Sequence, residues 1–176
     1  QALTAVLNKP VGYVSAQPEA GQTPAARLLT RPNFSLGPDR LHQFVDGGPA
    51  RLAKASLAPL GRLDQDSRGL LLLSEDGVLA KAVIGPESKL DKEYLVRVEG
   101  RINDAKLALL RHGLTLDHRK LNPAQITAIE PQRLRFVLQE GMKRQIRRMC
   151  EAVELNVTDL LRTRIGTLKL GDLREG

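Results

Sequence analysis

Residues 61 to 77, GRLDQDSRGLLLLSEDG, place an arginine and two aspartates directly ahead of four consecutive leucines. Leu70 to Leu73 read as a short strand buried on both faces. An apolar run of that length, bounded by Gly69 and the Asp76-Gly77 turn, suits a strand better than a helix. A polar loop tied to such a strand can hold a carboxylate in one place, as catalytic groups are often held. Asp64 and Asp66 also suit a plain turn, and spacing alone leaves both readings open.

At 176 residues the chain is one domain, or one domain in two halves, and it can bury about 70% of its unfolded surface. A single cysteine, Cys150, excludes an internal disulfide, and the histidines at 42, 112 and 118 show no metal-ligand spacing. No metal site is expected. Nothing reads as a signal peptide or as the run of ~20 apolar residues that crosses a bilayer, so a cytoplasmic protein is expected. Lysine and arginine number 27 against 20 acidic residues, a net charge of +7 that favours a polyanionic partner. Aromatic residues are only 3% of the chain, with no Trp, which disfavours RNA-binding modules built on aromatic stacking platforms.

Along the chain, Leu3, Ala5 and Leu7 alternate as a strand that breaks at Asn8-Lys9-Pro10, and Gly12 precedes a second short strand. Thr23-Pro24 suggests an N-cap and first-turn proline for a helix to about Leu29. Residues 31 to 59, rich in Gly and Pro, suggest a long surface excursion. GVLAKAVIG predicts a helix ending near Gly85-Pro86, and EYLVRVEG a strand. Asn103 is placed to cap the helix NDAKLALLRHG, and QITAIE and RLRFVLQE predict strands. The strand-rich order indicates an α+β fold. In MKRQIRRMCEAV, Met142, Ile146, Met149, Cys150 and Val153 form one apolar helical face. Arg144, Arg147 and Arg148 lie opposite, a guanidinium cluster able to pair with phosphates or a carboxylate, or simply a solvated face. Cys150 belongs to the apolar side as an inert core thiol.

An anchored carboxylate, an arginine cluster on a rigid helix and a strand tyrosine, Tyr94, are the candidate parts. Phosphate-cradling glycine loops and nucleophilic Ser or Cys pairs are missing. With NKPVG, KEYLVRVEG, EGMKRQIRRMC and RTRIGTLKLGDL, the opening stretch resembles the pseudouridine synthases of the RsuA/RluB/RluE/RluF group. The motifs run in the family's order from residue 7 to residue 173.

The resemblance implies a largely antiparallel mixed sheet in two halves, with flanking helices and a central basic cleft. It implies isomerisation of uridine in RNA, most often ribosomal RNA, without cofactor: the N1–C1′ bond breaks, the uracil turns, and C5 bonds to C1′. Asp64 matches the essential aspartate that acts on the ribose side. Burial would favour its protonated form, so a cationic partner is needed, and Arg147 matches the family's basic partner. Tyr94 matches the tyrosine that stacks on the uracil and assists loss of the C5 proton. Arg62 is similar to the arginine that holds the nucleotide out of the stack, and Leu168 or Leu170 to the leucine under the uracil. Lys9 and Pro10 match NKPxG, with a structural role. Lys9 reads as an exposed loop lysine able to touch phosphate, and Arg144 and Arg148 are further candidate phosphate contacts.

Many relatives carry a small S4-like RNA-binding domain ahead of this one. Here it is expected to be absent or removed, leaving residues 1 to 176 as the catalytic domain, and the end at Gly176 falls short of the family's usual final residues. Two rivals stand beside the synthase. One is a non-catalytic RNA-binding protein with the same basic surface. The other is a nuclease holding divalent metal on Asp64 and Asp66. A polar surface without an apolar stripe suggests a monomer.

Overall fold

The computed structural model describes residues 4–29, 57–85 and 88–176. The chain divides into two compact units, Gln1–Ser88 with Leu170–Gly176, and Lys89–Lys169.

The first unit is built on the leucine run. Strand β1 (Thr4–Lys9) is followed by the two-residue strands β2 (Tyr13–Val14) and β3 (Thr23–Pro24), then by β4 (Ala58–Leu60), β5 (Arg68–Ser74) and helix α1 (Gly77–Ile84). β5 pairs antiparallel with both β1 and β4, Leu72 facing Val6 on one side and Leu60 on the other. Every residue from Gly69 to Ser74 is buried, as a strand with cover on both faces requires. Pro59 is accommodated because, among the described residues, β4 pairs with β5 alone, and an edge position needs no donor on its outer side. Asp76 ends the run and starts α1, its carboxylate accepting from the backbone N–H groups of Val78 and Leu79. The tail returns to β1, where Gly176 N donates to Asn8 O and Asn8 Nδ2 donates to Leu173 O.

Two local expectations are corrected in this unit. Thr23-Pro24 does not cap a helix: it pairs in parallel with Tyr13-Val14, and only a short 3-10 turn, Ala25–Leu28, follows without a side-chain cap. Of the excursion expected from 31 to 59, residues 31–56 lie outside the described residues. Its end is regular, since Ala58–Leu60 is β4.

The second unit is an antiparallel sheet ordered β11-β6-β10-β9, formed by β6 (Lys92–Glu99), β9 (Gln125–Glu130), β10 (Arg133–Leu138) and β11 (Asn156–Ile165). β12 (Leu168–Lys169) pairs with the end of β11, and β7 (Thr115–Leu116) with β8 (Arg119–Lys120) as a separate hairpin. β6 alternates strictly, burying Lys92, Tyr94, Val96 and Val98, the period-2 pattern of a half-buried strand. Helix α2 (Asp104–Arg111) packs on β9, its first turn capped by Asn103 Oδ1 accepting from Lys106 N. Helix α3 (Gln145–Ala152) packs on β11 through a face that buries Ile146, Met149 and Cys150. Burial pushes the Cys150 thiol up to about 12, which keeps it protonated and inert.

α3 starts later than its apolar spacing suggests. Arg144 is the N-cap in a left-handed conformation, φ +53°, and half-buried Met142 precedes the helix. The cause is Gln145, buried, whose Oε1 accepts from Met142 N at 3.0 Å. That contact folds the chain back on itself and delays the first helical turn. Arg144 therefore does not continue the helical stripe of Arg147 and Arg148.

Candidate active site

In the first unit the segment before β5 is held by its backbone. The Ser15 hydroxyl donates to Leu63 O at 2.6 Å and accepts from Leu63 N at 2.9 Å. Asp64 O accepts from Ser67 N, and Gln65 O accepts from Gly12 N at 2.9 Å. Gly69 then enters β5 opposite Lys9 with φ +113°, a conformation that side-chain-bearing residues rarely adopt. Asp64 is left half-buried, Arg62 and Asp66 exposed. The loop carrying Asp64 is thus fixed at its own residue and on both sides of it, by contacts that do not use the carboxylate. Ser15→Ala strands both polar groups of Leu63 and is expected to lower stability by about 2 kcal/mol, read as a fall in the urea midpoint with unchanged slope.

Lys9 corrects the expectation of an exposed loop lysine. It is the last residue of β1, 0% exposed, and its ammonium donates to Pro10 O at 2.9 Å and Tyr13 O at 2.7 Å. Its reach closes the loop 10–13, and that loop supplies the Gly12 donor to Gln65. Burial pulls the Lys9 pKa down to about 8, opposed by the carboxylates of Asp64, Asp66 and Glu175. The Asp64 carboxylate is thus near enough for its charge to be felt at Lys9, whose ammonium is bonded to the carbonyls of loop 10–13.

In the second unit Tyr94 is 9% exposed and stands opposite Phe136 on β10 and Arg162 on β11. Arg147 is half-buried on α3. Arg148 grips Asp117 in a two-pronged pair, Nη2 to Oδ1 at 2.6 Å and Nη1 to Oδ2 at 2.9 Å, and that bond holds the Asp117 carboxyl below its usual range. Arg148 thus ties the hairpin turn between β7 and β8 to α3. Arg144 is exposed at the N-cap. Leu168 is exposed on β12, and Leu170, half-buried, belongs to the first unit.

Two buried cations on this sheet were not singled out by sequence patterning. Arg162 is 1% exposed and Lys92 8%. The available signal was parity, since Lys92 and Tyr94 share a face of β6. For Arg162 parity alone is insufficient, because β11 carries a bulge. The register passes from Arg162 opposite Tyr94 to Arg164 opposite Glu93, with Thr163 extra. The extra residue sends the two arginines to opposite faces. On the far face Glu93 accepts from Arg135 Nη2 at 2.7 Å and from Thr163 Oγ1 at 2.8 Å. Burial would raise the Glu93 pKa, but the bonds from Thr163 and Arg135 outweigh it and lower it.

Among the described residues no group of three or more His, Cys, Asp or Glu side chains could hold a metal ion, and no helix is long and apolar enough to cross a membrane.

The chain matches the family model for RNA pseudouridylate synthase over residues 4–152. It is 32% identical over 169 residues to the ribosomal small subunit pseudouridine synthase A of Yersinia pestis, covering 95% of this chain and 63% of that protein. It is 33% identical over 187 residues to the ribosomal large subunit pseudouridine synthase E of Xanthomonas axonopodis pv. citri, covering 96% of this chain and 88% of that protein. A solved pseudouridylate synthase superimposes with a TM-score of 0.78 at 25% identity, over 99% of this chain and 68% of that one. The α+β fold with its antiparallel strands is the fold of that synthase, and the chain belongs to the RNA pseudouridylate synthase family.

Proposed function

We propose that this protein converts uridine to pseudouridine in ribosomal RNA, with Asp64 as the essential carboxylate. The observation that carries the reading is the loop of residues 63–67, whose backbone is held at Leu63, Asp64 and Gln65 so that Asp64 is fixed in place ahead of β5. Asp64 acts at C1′ or its neighbouring 2′ position, and Tyr94 stacks on the uracil and helps to remove the C5 proton. Arg147 supplies positive charge for the carboxylate, and Arg62, exposed two residues before it, holds the extruded nucleotide. Extrusion costs a few kcal/mol, which a side chain filling the vacancy lowers. The leucine under the base is Leu168 or Leu170, and Arg144 adds a phosphate contact. Arg148, committed to Asp117, contributes by bracing the hairpin.

The protein acts as a cytoplasmic monomer, without metal or cofactor. Its relatives are named for both ribosomal subunits, so the substrate is sought on both RNAs. The test is pseudouridine mapping on unmodified small- and large-subunit rRNA incubated with the protein in EDTA. Conversion at one or a few positions is expected. Cleavage that EDTA abolishes would favour the nuclease, and binding without conversion would favour the non-catalytic RNA-binding protein.

A further inference from the structure

Lys92 and Tyr94 lie two residues apart on the buried face of β6, and Arg162 stands directly across from Tyr94 on β11. Three polar side chains thus occupy one patch of an otherwise apolar sheet face. The ammonium of Lys92 reaches the turn that leads into α3, where a Cβ added at Gly141 would lie 3.5 Å from Nζ. Glycine leaves that approach open. The influences that move the Lys92 pKa are burial first and the Arg162 charge second, and both lower it. No carboxylate is among them. Lysine is seldom this deeply buried, and a core of this kind would be served as well by an apolar side chain at position 92.

Resting on the reading above, in which Tyr94 stacks on the uracil, we propose that Lys92 is a further catalytic residue, a cation that binds the uracil carbonyls as the base becomes an anion. When the N1–C1′ bond breaks, its electron pair leaves with the base, and the charge spreads over N1, O2 and O4. C1′ is satisfied meanwhile by Asp64, either by attack or by removal of the 2′ proton, and what is borrowed is returned later. C5 then gives a pair to C1′ and loses its proton, and N1 gains one, so the product is an isomer. Lys92 acts between these events. A preorganised cation aimed at charge that exists only in the intermediate favours the step without tightening RNA binding. Arg162, across from Tyr94, adds to the positive field on the same patch and keeps the anion from drifting while it turns.

The test compares Lys92→Met and Lys92→Arg with the native chain on an rRNA that the native chain converts. For Lys92→Met, kcat is expected to fall about 100-fold, with KM for RNA within about threefold and the thermal midpoint unchanged or higher. Lys92→Arg is expected to recover to within about tenfold of the native rate, because charge rather than shape is required. Unchanged activity in Lys92→Met would overturn the proposal. So would a parallel loss of kcat, RNA binding and thermal midpoint, which marks a structural role. A Lys92→Met rate restored at alkaline pH would also overturn it, by placing the effect on Tyr94 ionisation. A native chain that converts no uridine in either rRNA removes the functional reading itself, whereas an active native chain with an equally active Lys92→Met removes only this assignment.

Discussion

Asp64→Asn is expected to abolish pseudouridine formation, a loss of at least about 1,000-fold, while leaving RNA affinity within about twofold. The prediction follows from how the loop is held. Its fixed points are the Leu63 backbone on Ser15, Asp64 O on Ser67 N, and Gln65 O on Gly12 N, none of which uses the Asp64 carboxylate. Asparagine keeps the size and planarity of the side chain and removes its charge and basicity. It can neither attack C1′ nor take a proton there. Quantified conversion with a filter-binding titration on the same RNA separates the outcomes. A variant that remains active sinks the assignment of Asp64, and one that loses affinity and activity together shows that the residue serves binding.

The second large effect is expected at Lys9. Lys9→Met keeps the length of a buried side chain and strands the carbonyls of Pro10 and Tyr13, each about 1–3 kcal/mol when left without a donor. Relief from burying a charge offsets part of this, so a net loss of about 2 kcal/mol is expected. Activity falls with it, because loop 10–13 donates to Gln65 beside Asp64. The pH dependence carries a sign of its own. The folded-state pKa is about 8, below the ordinary 10.5, so between these values the unfolded chain binds a proton that the folded chain does not. Stability therefore rises with pH across this window, by up to about 1.4 kcal/mol per pH unit from this group. Below pH 8 both states are protonated, and the cost of burying the charge is present in full. The neutral amine still has two N–H donors for its two carbonyls. Urea unfolding of the native chain and Lys9→Met from pH 7.5 to 10.5 should give curves that diverge in favour of the native chain as pH rises. Parallel curves would show that Lys9 keeps an ordinary pKa.

The elements written in periodicity were legible: the leucine run of β5, the strict alternation of β6, the Asn103 cap and the apolar face of α3 each reflect a local rule. The placement of candidate residues was legible where a motif coincided with such an element, as for Asp64 ahead of β5 and Tyr94 within β6. It was obscure where distant chain satisfies a polar group. Lys9 reads as a loop residue because lysine is seldom buried, and its burial depends on carbonyls that the following turn brings back over it. Arg144 reads as helical because the fold-back of Gln145 onto Met142 leaves no periodic trace. Arg162 and Arg164 read as sharing a face until the extra residue between them is seen. Fold class survives such errors because many residues vote for it, whereas a site depends on single side chains.

The return of residues 173–176 to β1 also bears on the order in which the protein can be made. The second unit is one continuous stretch, Lys89–Lys169, whereas the first needs both Gln1–Ser88 and Leu170–Gly176. During synthesis β1, β4 and β5 emerge early but lack the partner that Asn8 meets at Leu173 and Gly176. The inserted unit can complete its sheet before the strand bearing Lys9 meets residues 173–176. Asp64 is thus translated early, whereas the segment that meets Asn8 follows only after the whole of Lys89–Lys169 has been made.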